Sequence, residues 1–278
     1  LVRLAAPFGL VLGLGLGLSG PAHAVDGCKL LLCMAGNWQN ISQCTPTVRQ
    51  ALRDVAAQVA AAPGRPAGRR PVVVETSTLT LADKEAARKV LGKAGLQVLD
   101  CPISGTAVRM KERAWTIFAS GPRPAFNRVR TMLAVFSDNV PYVGPYGNGT
   151  KMKFAANHLV AIYNVATAES VNLARKMGLD PQAVLDLFGH SPIIGTGVMR
   201  LRMPFMIRRE YEPATMKVEV WQKDMQVIGE MAREVDCPTP LFSACHPIYT
   251  AAMAQGLALE DTASTAEVMA AMAGLPRA

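Results

Sequence analysis

The chain has 278 residues, of which 50% are apolar and 18% charged. This composition supplies apolar side chains for two packed domains and excludes a disordered protein. The formal net charge of +8 suits a small acidic ligand, such as a nucleotide phosphate or a carboxylate substrate. The basic residues are scattered and not gathered into a stripe with aromatic residues, so we expect no nucleic-acid partner.

The cysteines form no Cys-x-x-Cys pair and no Cys/His run with zinc-ligand spacing. We therefore expect no metal site and mostly buried, reduced thiols, as is typical of a cytoplasmic protein. The six residues are Cys28, Cys33, Cys44, Cys101, Cys237 and Cys245.

Residues 1–25 are atypical and fit more than one interpretation. Arg3 precedes a long apolar run and a small-x-small site that ends at Ala24, as in a signal peptide, so an exported protein is the alternative to a cytoplasmic one. The same segment contains a Gly-x-Gly-x-x-Gly pattern that ends at Gly20, the form of a dinucleotide-binding turn. Pro21 follows where such a turn needs a helix, and glycine alternating with leucine also fits low-complexity sequence.

Residues 26–148 alternate short apolar runs with helical stretches. The segments with helical periodicity are Thr47–Ala61 and Leu81–Ala94. The predicted strands are Lys29–Met34, Val72–Thr76, Gln97–Cys101 and Trp115–Ser120. This alternation predicts an α/β fold with a partial doubly wound parallel sheet, Rossmann-like and truncated at its start.

The sequence of residues 149–278 predicts an all-α C-terminal domain. The segment from Met152 to Met177 contains no Gly or Pro and is apolar nearly all round, which predicts a long buried helix. More helices are predicted at Pro181–Phe188, Val198–Arg209, Thr215–Val235, Leu241–Gln255 and Asp261–Ala273. We expect no membrane span, and the apolar surface of these helices predicts a homodimer through this half.

A glycine-rich turn, Gly144–Gly149, precedes the long helix and places Lys153 and Asn157 one turn apart on one face. A lysine that faces inward is desolvated, which disfavours its charged form and suits it to proton transfer. The spacing alone equally allows Lys153 to extend along the helix to water.

A second turn, Asp100–Thr106, contains Ser104 and Gly105 at the end of a predicted strand. Small residues there let backbone N–H groups approach an anion, because no Cβ obstructs them. The residues alone also fit an ordinary turn at a strand end.

The run that contains Lys153 resembles the Gly-x-Gly-x-x-x-Lys-x-x-Asn-Asn signature of the β-hydroxyacid dehydrogenases, the family of 3-hydroxyisobutyrate dehydrogenase, related to 6-phosphogluconate dehydrogenase. The resemblance implies that Lys153 is the catalytic acid/base and that Asn157 helps to hold the substrate. Ala156 replaces the first asparagine of the signature.

The second turn is similar to the family's Asp-x-Pro-Val-Ser-Gly-Gly loop. The resemblance implies that Ser104, Gly105 and Thr106 hold a small carboxylate substrate. Thr106 replaces the usual second glycine.

Three shorter matches concern a nicotinamide cofactor, NAD or NADP. Glu75–Leu79 resembles the Ser-Thr turn that contacts the nicotinamide, which implies a role for Thr78. Lys223 begins a Lys-Asp-Met run similar to the family's Lys-Asp-Leu, whose lysine lies near the cofactor. The strand that ends at Met34 resembles the family's strand ending in Leu-Pro, with Ala35 in place of the proline.

The resemblance implies an oxidoreductase that transfers a hydride between NAD(P) and a small β-hydroxyacid or its semialdehyde. The family's first strand, phosphate-binding turn, first helix and second strand have no clear counterpart in residues 1–25 or after them. The alternative is therefore an inactive or cofactor-deficient member that acts only as a helical dimer module. A third interpretation is an exported binding protein, favoured only by the signal-like segment.

Overall fold

The computed structural model describes residues 71–106 and 112–276. By its internal contacts the chain divides into an N-terminal unit, Leu1–Lys153, and a helical unit, Phe154–Ala278. The predictions for residues 1–70 fall outside the described residues and stay predictions. They are the atypical segment 1–25, the strand Lys29–Met34, the helix Thr47–Ala61 and the cofactor contacts at Met34 and Ala35.

The described part of the N-terminal unit begins with a β-α-β element. Strand β1 (Val72–Glu75) and strand β2 (Gln97–Asp100) pair in parallel, with helix α1 (Leu81–Lys93) between them in the chain. Thr80 caps α1 by accepting a hydrogen bond from the backbone N–H of Asp83. The predicted parallel pairing of two strands through a helix is confirmed.

The next predicted strand, Trp115–Ser120, is wrong in length and in pairing. Strand β4 is only Thr116–Ile117, and it pairs antiparallel with strand β3, Ile103–Ser104. Ser120 instead forms a single bridge to Asp100. The run changes partner along its length, so no continuous ladder can form.

Helix α2 (Arg123–Phe136), which the sequence analysis did not predict, packs on the small sheet and closes the apolar core of this unit. Cys101 is fully buried in that core, and burial raises the pKa of its thiol to about 12, so it stays protonated. The core consists of Leu99, Cys101, Ile117, Ala119, Ala125, Phe126 and Leu133.

The helical predictions for the second half are confirmed, with shifted ends. The long helix α3 starts four residues earlier than the predicted Met152, at Asn148. The last predicted helix, Asp261–Ala273, opens with a short 3₁₀ turn, because Asp261 caps the backbone N–H of Ala263. The helices are α3 (Asn148–Lys176), α4 (Pro181–Phe188), α5 (Gly197–Arg208), α6 (Val218–Glu234), α7 (Pro240–Ala254), the 3₁₀ turn (Thr262–Ser264) and α8 (Thr265–Met272).

Alanine, valine and methionine side chains fill the cores of the helical unit. Met199, Met203 and Met206 on α5 are all buried in one cluster with residues of α3 and α4, so this methionine stripe is structural. A second cluster surrounds Trp221, Phe242 and Tyr249. In the described residues, no helix is long and apolar enough to cross a membrane.

A buried ion pair connects three elements of the helical unit. The carboxylate of Asp261 accepts hydrogen bonds from Arg202 on α5, from the backbone and hydroxyl of Thr215, and from the backbone of Ala263. Thr215 is therefore held outside α6, which explains why that helix begins at Val218 and not at the predicted Thr215.

We predict that Arg202→Met destabilises the protein by about 3–5 kcal/mol, because it leaves the fully buried Asp261 carboxylate without its cation. The matched control is Arg208→Met on the same helix, since Arg208 is exposed and its ion pair with Glu210 spans 3.5 Å. An exposed pair of this kind contributes at most about 1 kcal/mol. Urea unfolding followed by circular dichroism measures both variants, and equal losses would contradict the prediction.

Candidate active site

The parallel register places two acidic residues side by side at the carboxyl edge of the sheet. Glu75 at the end of β1 lies opposite Asp100 at the end of β2. Lys84 on α1 bridges them, with its Nζ 2.6 Å from Glu75 Oε2 and 2.8 Å from Asp100 Oδ1. The carboxyl edge is where parallel sheets bind ligands, so this ion-pair cluster lies beside the expected site.

The ammonium group of Lys84 is buried and charged. Burial alone would lower its pKa, but the charges and hydrogen bonds of Glu75 and Asp100 raise the pKa above the ordinary lysine value. A protonated lysine carries one positive charge, which it shares between the two carboxylates. This charge offsets the repulsion between Glu75 and Asp100 that the strand register creates.

Asp100 also fixes the first turn of α3. Its Oδ2 accepts a hydrogen bond from the backbone N–H of Thr150, and its Oδ1 accepts one from the Thr150 hydroxyl, each at 2.8 Å. The hydroxyl of Ser120 accepts from the backbone N–H of Gly149 at 2.9 Å. A carboxylate at a helix N-terminus satisfies donors that have no partner within the helix and favourably meets the helix dipole.

Gly149 is required for this close approach. A Cβ at that position would lie 2.4 Å from the backbone oxygen of Phe118 and 2.7 Å from that of Asp100. The glycine pattern noted before the long helix therefore has a packing role: it lets the start of α3 lie directly against the end of β2.

Lys153 lies one turn into α3, three residues after Thr150, and is only 8% exposed. Burial of the lysine agrees with the inward-facing interpretation and not with a side chain extended to water. Asn157 follows one turn later and is 3% exposed. The predicted spacing of the two side chains along one helix is thus realised, with both of them buried.

The predicted substrate loop leaves β2 and forms β3. Gly105 has φ +143°, and a Cβ there would lie 2.6 Å from Cβ of Trp115, so only glycine fits. Ser104 pairs with Thr116 through the antiparallel ladder. The buried hydroxyl of Thr106 has no hydrogen-bond partner among the described residues, so it is available to a bound ligand.

The predicted nicotinamide turn follows β1. Glu75 Oε1 accepts a hydrogen bond from the backbone N–H of Ser77 at 2.7 Å, which holds the turn against the strand end. The hydroxyl oxygen of Ser77 is buried without a hydrogen-bond partner in the part of the chain that the structure describes. Thr78, the residue that the sequence analysis singled out, is half-buried beside it.

In the helical unit, Asn157 is oriented by a residue that the sequence analysis missed. Its side-chain amide donates to Asp224 Oδ2 at 2.9 Å, and Lys223 Nζ lies 3.0 Å from Asp224 Oδ1. A carboxylate can only accept, so it fixes the Asn157 amide with its NH₂ toward Asp224. Asp224 stood within the Lys-Asp-Met match, and that match was the available signal.

Two charged residues, Lys84 and Asp224, therefore join the candidate set. The N-terminal unit holds Thr78, Ser104, Gly105, Thr106 and Lys153, and the helical unit holds Asn157 and Lys223. Over the described ranges, no three His, Cys, Asp or Glu side chains are grouped so that they could hold a metal ion.

Two family models match successive parts of the chain. Residues 17–144 match the NAD-binding domain of 6-phosphogluconate dehydrogenase. Residues 147–269 match the model described as NAD-binding of NADP-dependent 3-hydroxyisobutyrate dehydrogenase. Together they follow the order of domains expected from the motifs.

Curated relatives agree with these matches. An L-threonate dehydrogenase of Cupriavidus necator is 28% identical over 255 residues, which is 91% of this chain and 81% of that protein. The chloroplastic glyoxylate/succinic semialdehyde reductase 2 of Arabidopsis thaliana is 27% identical, and the match covers 71% of this chain. The matched region spans only 55% of the length of that second relative.

A solved structure extends the likeness to the fold. The crystal structure of 3-hydroxyisobutyrate dehydrogenase from Salmonella typhimurium matches with a TM-score of 0.70 and 27% identity, over 80% of this chain and 75% of that one. The predicted fold class, a Rossmann-like domain followed by a helical domain, is confirmed. From these matches and its ordered motifs, the chain belongs to the β-hydroxyacid dehydrogenase family of NAD(P)-dependent oxidoreductases.

Proposed function

We propose that the protein transfers a hydride between NAD or NADP and a small β-hydroxyacid or its semialdehyde, with Lys153 as the acid/base. The observation that carries the proposal is the burial of Lys153 one turn into a helix whose start is fixed by Asp100. An amine held in this way can exchange a proton with a substrate hydroxyl at a defined position.

The free, buried thiols of Cys101 and Cys245 support a reducing, cytoplasmic location.

The substrate carboxylate is assigned to the loop Ser104–Thr106. Gly105 lets backbone N–H groups approach an anion, and the Thr106 hydroxyl can donate a hydrogen bond to it. Asn157, with its NH₂ held by Asp224, presents its carbonyl oxygen as an acceptor for a substrate hydroxyl. Relatives that act on small hydroxyacids, such as L-threonate dehydrogenase, support this substrate class.

The described residues fit a nicotinamide cofactor at the turn after β1. The buried Ser77 hydroxyl, which has no hydrogen-bond partner among the described residues, can donate to the carbonyl of an amide group, and Thr78 lies next to it. When bound, the cofactor supplies or accepts the hydride. Lys223, which pairs with Asp224, is the second proposed cofactor contact, with Met34 and Ala35 the others.

We expect Lys153→Met to lower kcat by roughly 10²- to 10⁴-fold, the usual contribution of a positioned acid/base. Methionine keeps the length and apolar stem, so folding should be preserved. Cofactor affinity should barely change, which calorimetry can check. Steady-state oxidation of small β-hydroxyacids measures the loss.

Lys151→Met is the matched control, since Lys151 is exposed on the same helix. It lies two positions before Lys153, about 200° around the helix, and should cost little activity. A fully active Lys153→Met enzyme would rule out the assigned role. Equal losses in both variants would indicate a general electrostatic effect.

Cofactor binding separates the enzyme from the cofactor-deficient alternative. Titration of NAD(H) and NADP(H) into the full chain by calorimetry should give micromolar dissociation constants if the protein is an enzyme. A dissociation constant in the millimolar range or above, which is about 4 kcal/mol of binding free energy or less, would favour the helical dimer module.

We further propose that the protein is a homodimer through its helical unit. An exposed stripe of uncharged side chains, spaced three or four residues apart, follows α3 in this unit and runs on to Met177, with Glu169 and Lys176 exposed beside it. A second copy with the same stripe would cover it, as in a two-fold interface. The stripe consists of Ala155, Leu159, Tyr163, Ala166, Ser170, Leu173 and Met177.

Replacing Leu159 and Leu173 together by glutamate should convert the dimer to a monomer, because pairing would bring like charges together at a cost of several kcal/mol. Analytical ultracentrifugation at micromolar concentration measures the change. Val235→Glu is the control: Val235 is also exposed, at 61%, but lies outside the stripe at the end of α6. A wild-type protein that sediments as a monomer would contradict the proposal.

A further inference from the structure

The side chain of Lys84 lies where three functional segments of the N-terminal unit meet. It stands at the fourth position of α1, and its side chain is fully buried. Its ammonium group touches one oxygen of Glu75 and one of Asp100, at 2.6 and 2.8 Å. Lys84 lies outside the segments that resemble the family's motifs.

Each of the two carboxylates holds a segment of the candidate active site with its remaining hydrogen bonds. Glu75 uses its other oxygen to hold the backbone of Ser77, in the nicotinamide turn. Asp100 holds both the backbone and the hydroxyl of Thr150, three residues before Lys153. Asp100 is also the first residue of the substrate loop.

We propose that Lys84 is a positioning residue for the reaction: its ion pairs fix the positions of Glu75 and Asp100, and thereby hold the nicotinamide turn, the substrate loop and the first turn of α3 in register. This inference rests on the proposed function for the roles of those segments. The ion pairs of Lys84 and the hydrogen bonds of Glu75 and Asp100 are contacts of the structure and do not depend on the proposed function.

The chemistry of the pair explains why the charge is needed. The strand register sets the two carboxylates side by side, and Asp100 is completely buried. Without a cation between them, the two neighbouring carboxylates repel each other, and neither keeps the ion pair that fixes its position. A carboxylate that moves away from its neighbour lengthens or bends its hydrogen bonds to Ser77 or to Thr150, which weakens them.

The decisive variant is Lys84→Met, compared with Lys89→Met on the exposed side of the same helix. All measurements are made below the temperature at which either variant begins to unfold by circular dichroism. We expect Lys84→Met to lower kcat by about 10- to 100-fold, because a displacement of about 1 Å at the reacting groups has an effect of this size. Lys89→Met should match the wild type.

Amide hydrogen exchange provides a readout that does not need turnover. In Lys84→Met, the amides of Ser77, Gly149 and Thr150 should exchange about two- to tenfold faster, as expected when a hydrogen bond is weakened. Amides of α7 in the helical unit serve as the internal reference and should be unchanged. A folded Lys84→Met protein with wild-type kcat and wild-type exchange at these three amides would overturn the inference.

Two further variants keep the test decisive if Lys84→Met does not fold. Thr150→Val removes only the hydroxyl bond to Asp100 and retains both ion pairs, so it should lower kcat while the unfolding midpoint changes little. The triple variant Glu75→Gln/Lys84→Met/Asp100→Asn removes all three charges and should fold, yet remain slow. Full activity in both would overturn the inference.

Failure of the proposed function gives a different pattern of results. If the wild-type chain oxidises no β-hydroxyacid with either cofactor, the proposed function fails, and the exchange measurement still decides whether Lys84 holds the three segments. If the wild type is active, Lys153→Met is inactive and the Lys84 variants equal the wild type, the function stands and the positioning role fails.

Discussion

The buried carboxylate of Asp100 joins the end of β2 to the start of α3, and the geometry of the N-terminal unit depends on it. Removing a carboxylate from water costs several kcal/mol. A helix N-terminus offsets at most about 2 kcal/mol of that cost. The two hydrogen bonds from Thr150 and the ion pair to Lys84 supply the remainder, so the carboxylate, the lysine and the helix start form one interdependent set.

Local signals in the sequence were enough to predict most helices. Helix α4 has its predicted ends, Pro181–Phe188, because Asp180 caps it, Pro181 occupies its first turn and Gly189 ends it. The short strands were harder to predict. Trp115–Ser120 has the composition of a strand, but its length is set by partners elsewhere in the chain, which no local pattern records.

The candidate site was predictable to the extent that it is local. Lys153 and Asn157 follow from helical spacing, and the loop Ser104–Thr106 follows from resemblance to a family motif. Lys84 pairs with an acid 16 residues away, and Asp224 accepts from an amide 67 residues away. No sequence pattern indicated either pairing, although Asp224 lies within the Lys-Asp-Met match. A charged residue on a helix ordinarily faces solvent, and only the tertiary fold brings its partner to it.

The two units fix their functional side chains by the same physical means. The cores are largely alanine, valine, leucine and methionine, whose contacts are non-directional and allow several similar packings. A buried carboxylate with several fixed donors is directional, since only one arrangement satisfies all of them. Asp100 in this way sets the start of the helix that carries Lys153, and Asp224 sets the amide of Asn157. The hydrogen bonds of Asp100 and those of Asp224 are made separately. Weakening the bonds of Asp100 to Thr150 should therefore act mainly on proton transfer, and weakening the bond of Asp224 to Asn157 should act mainly on substrate binding.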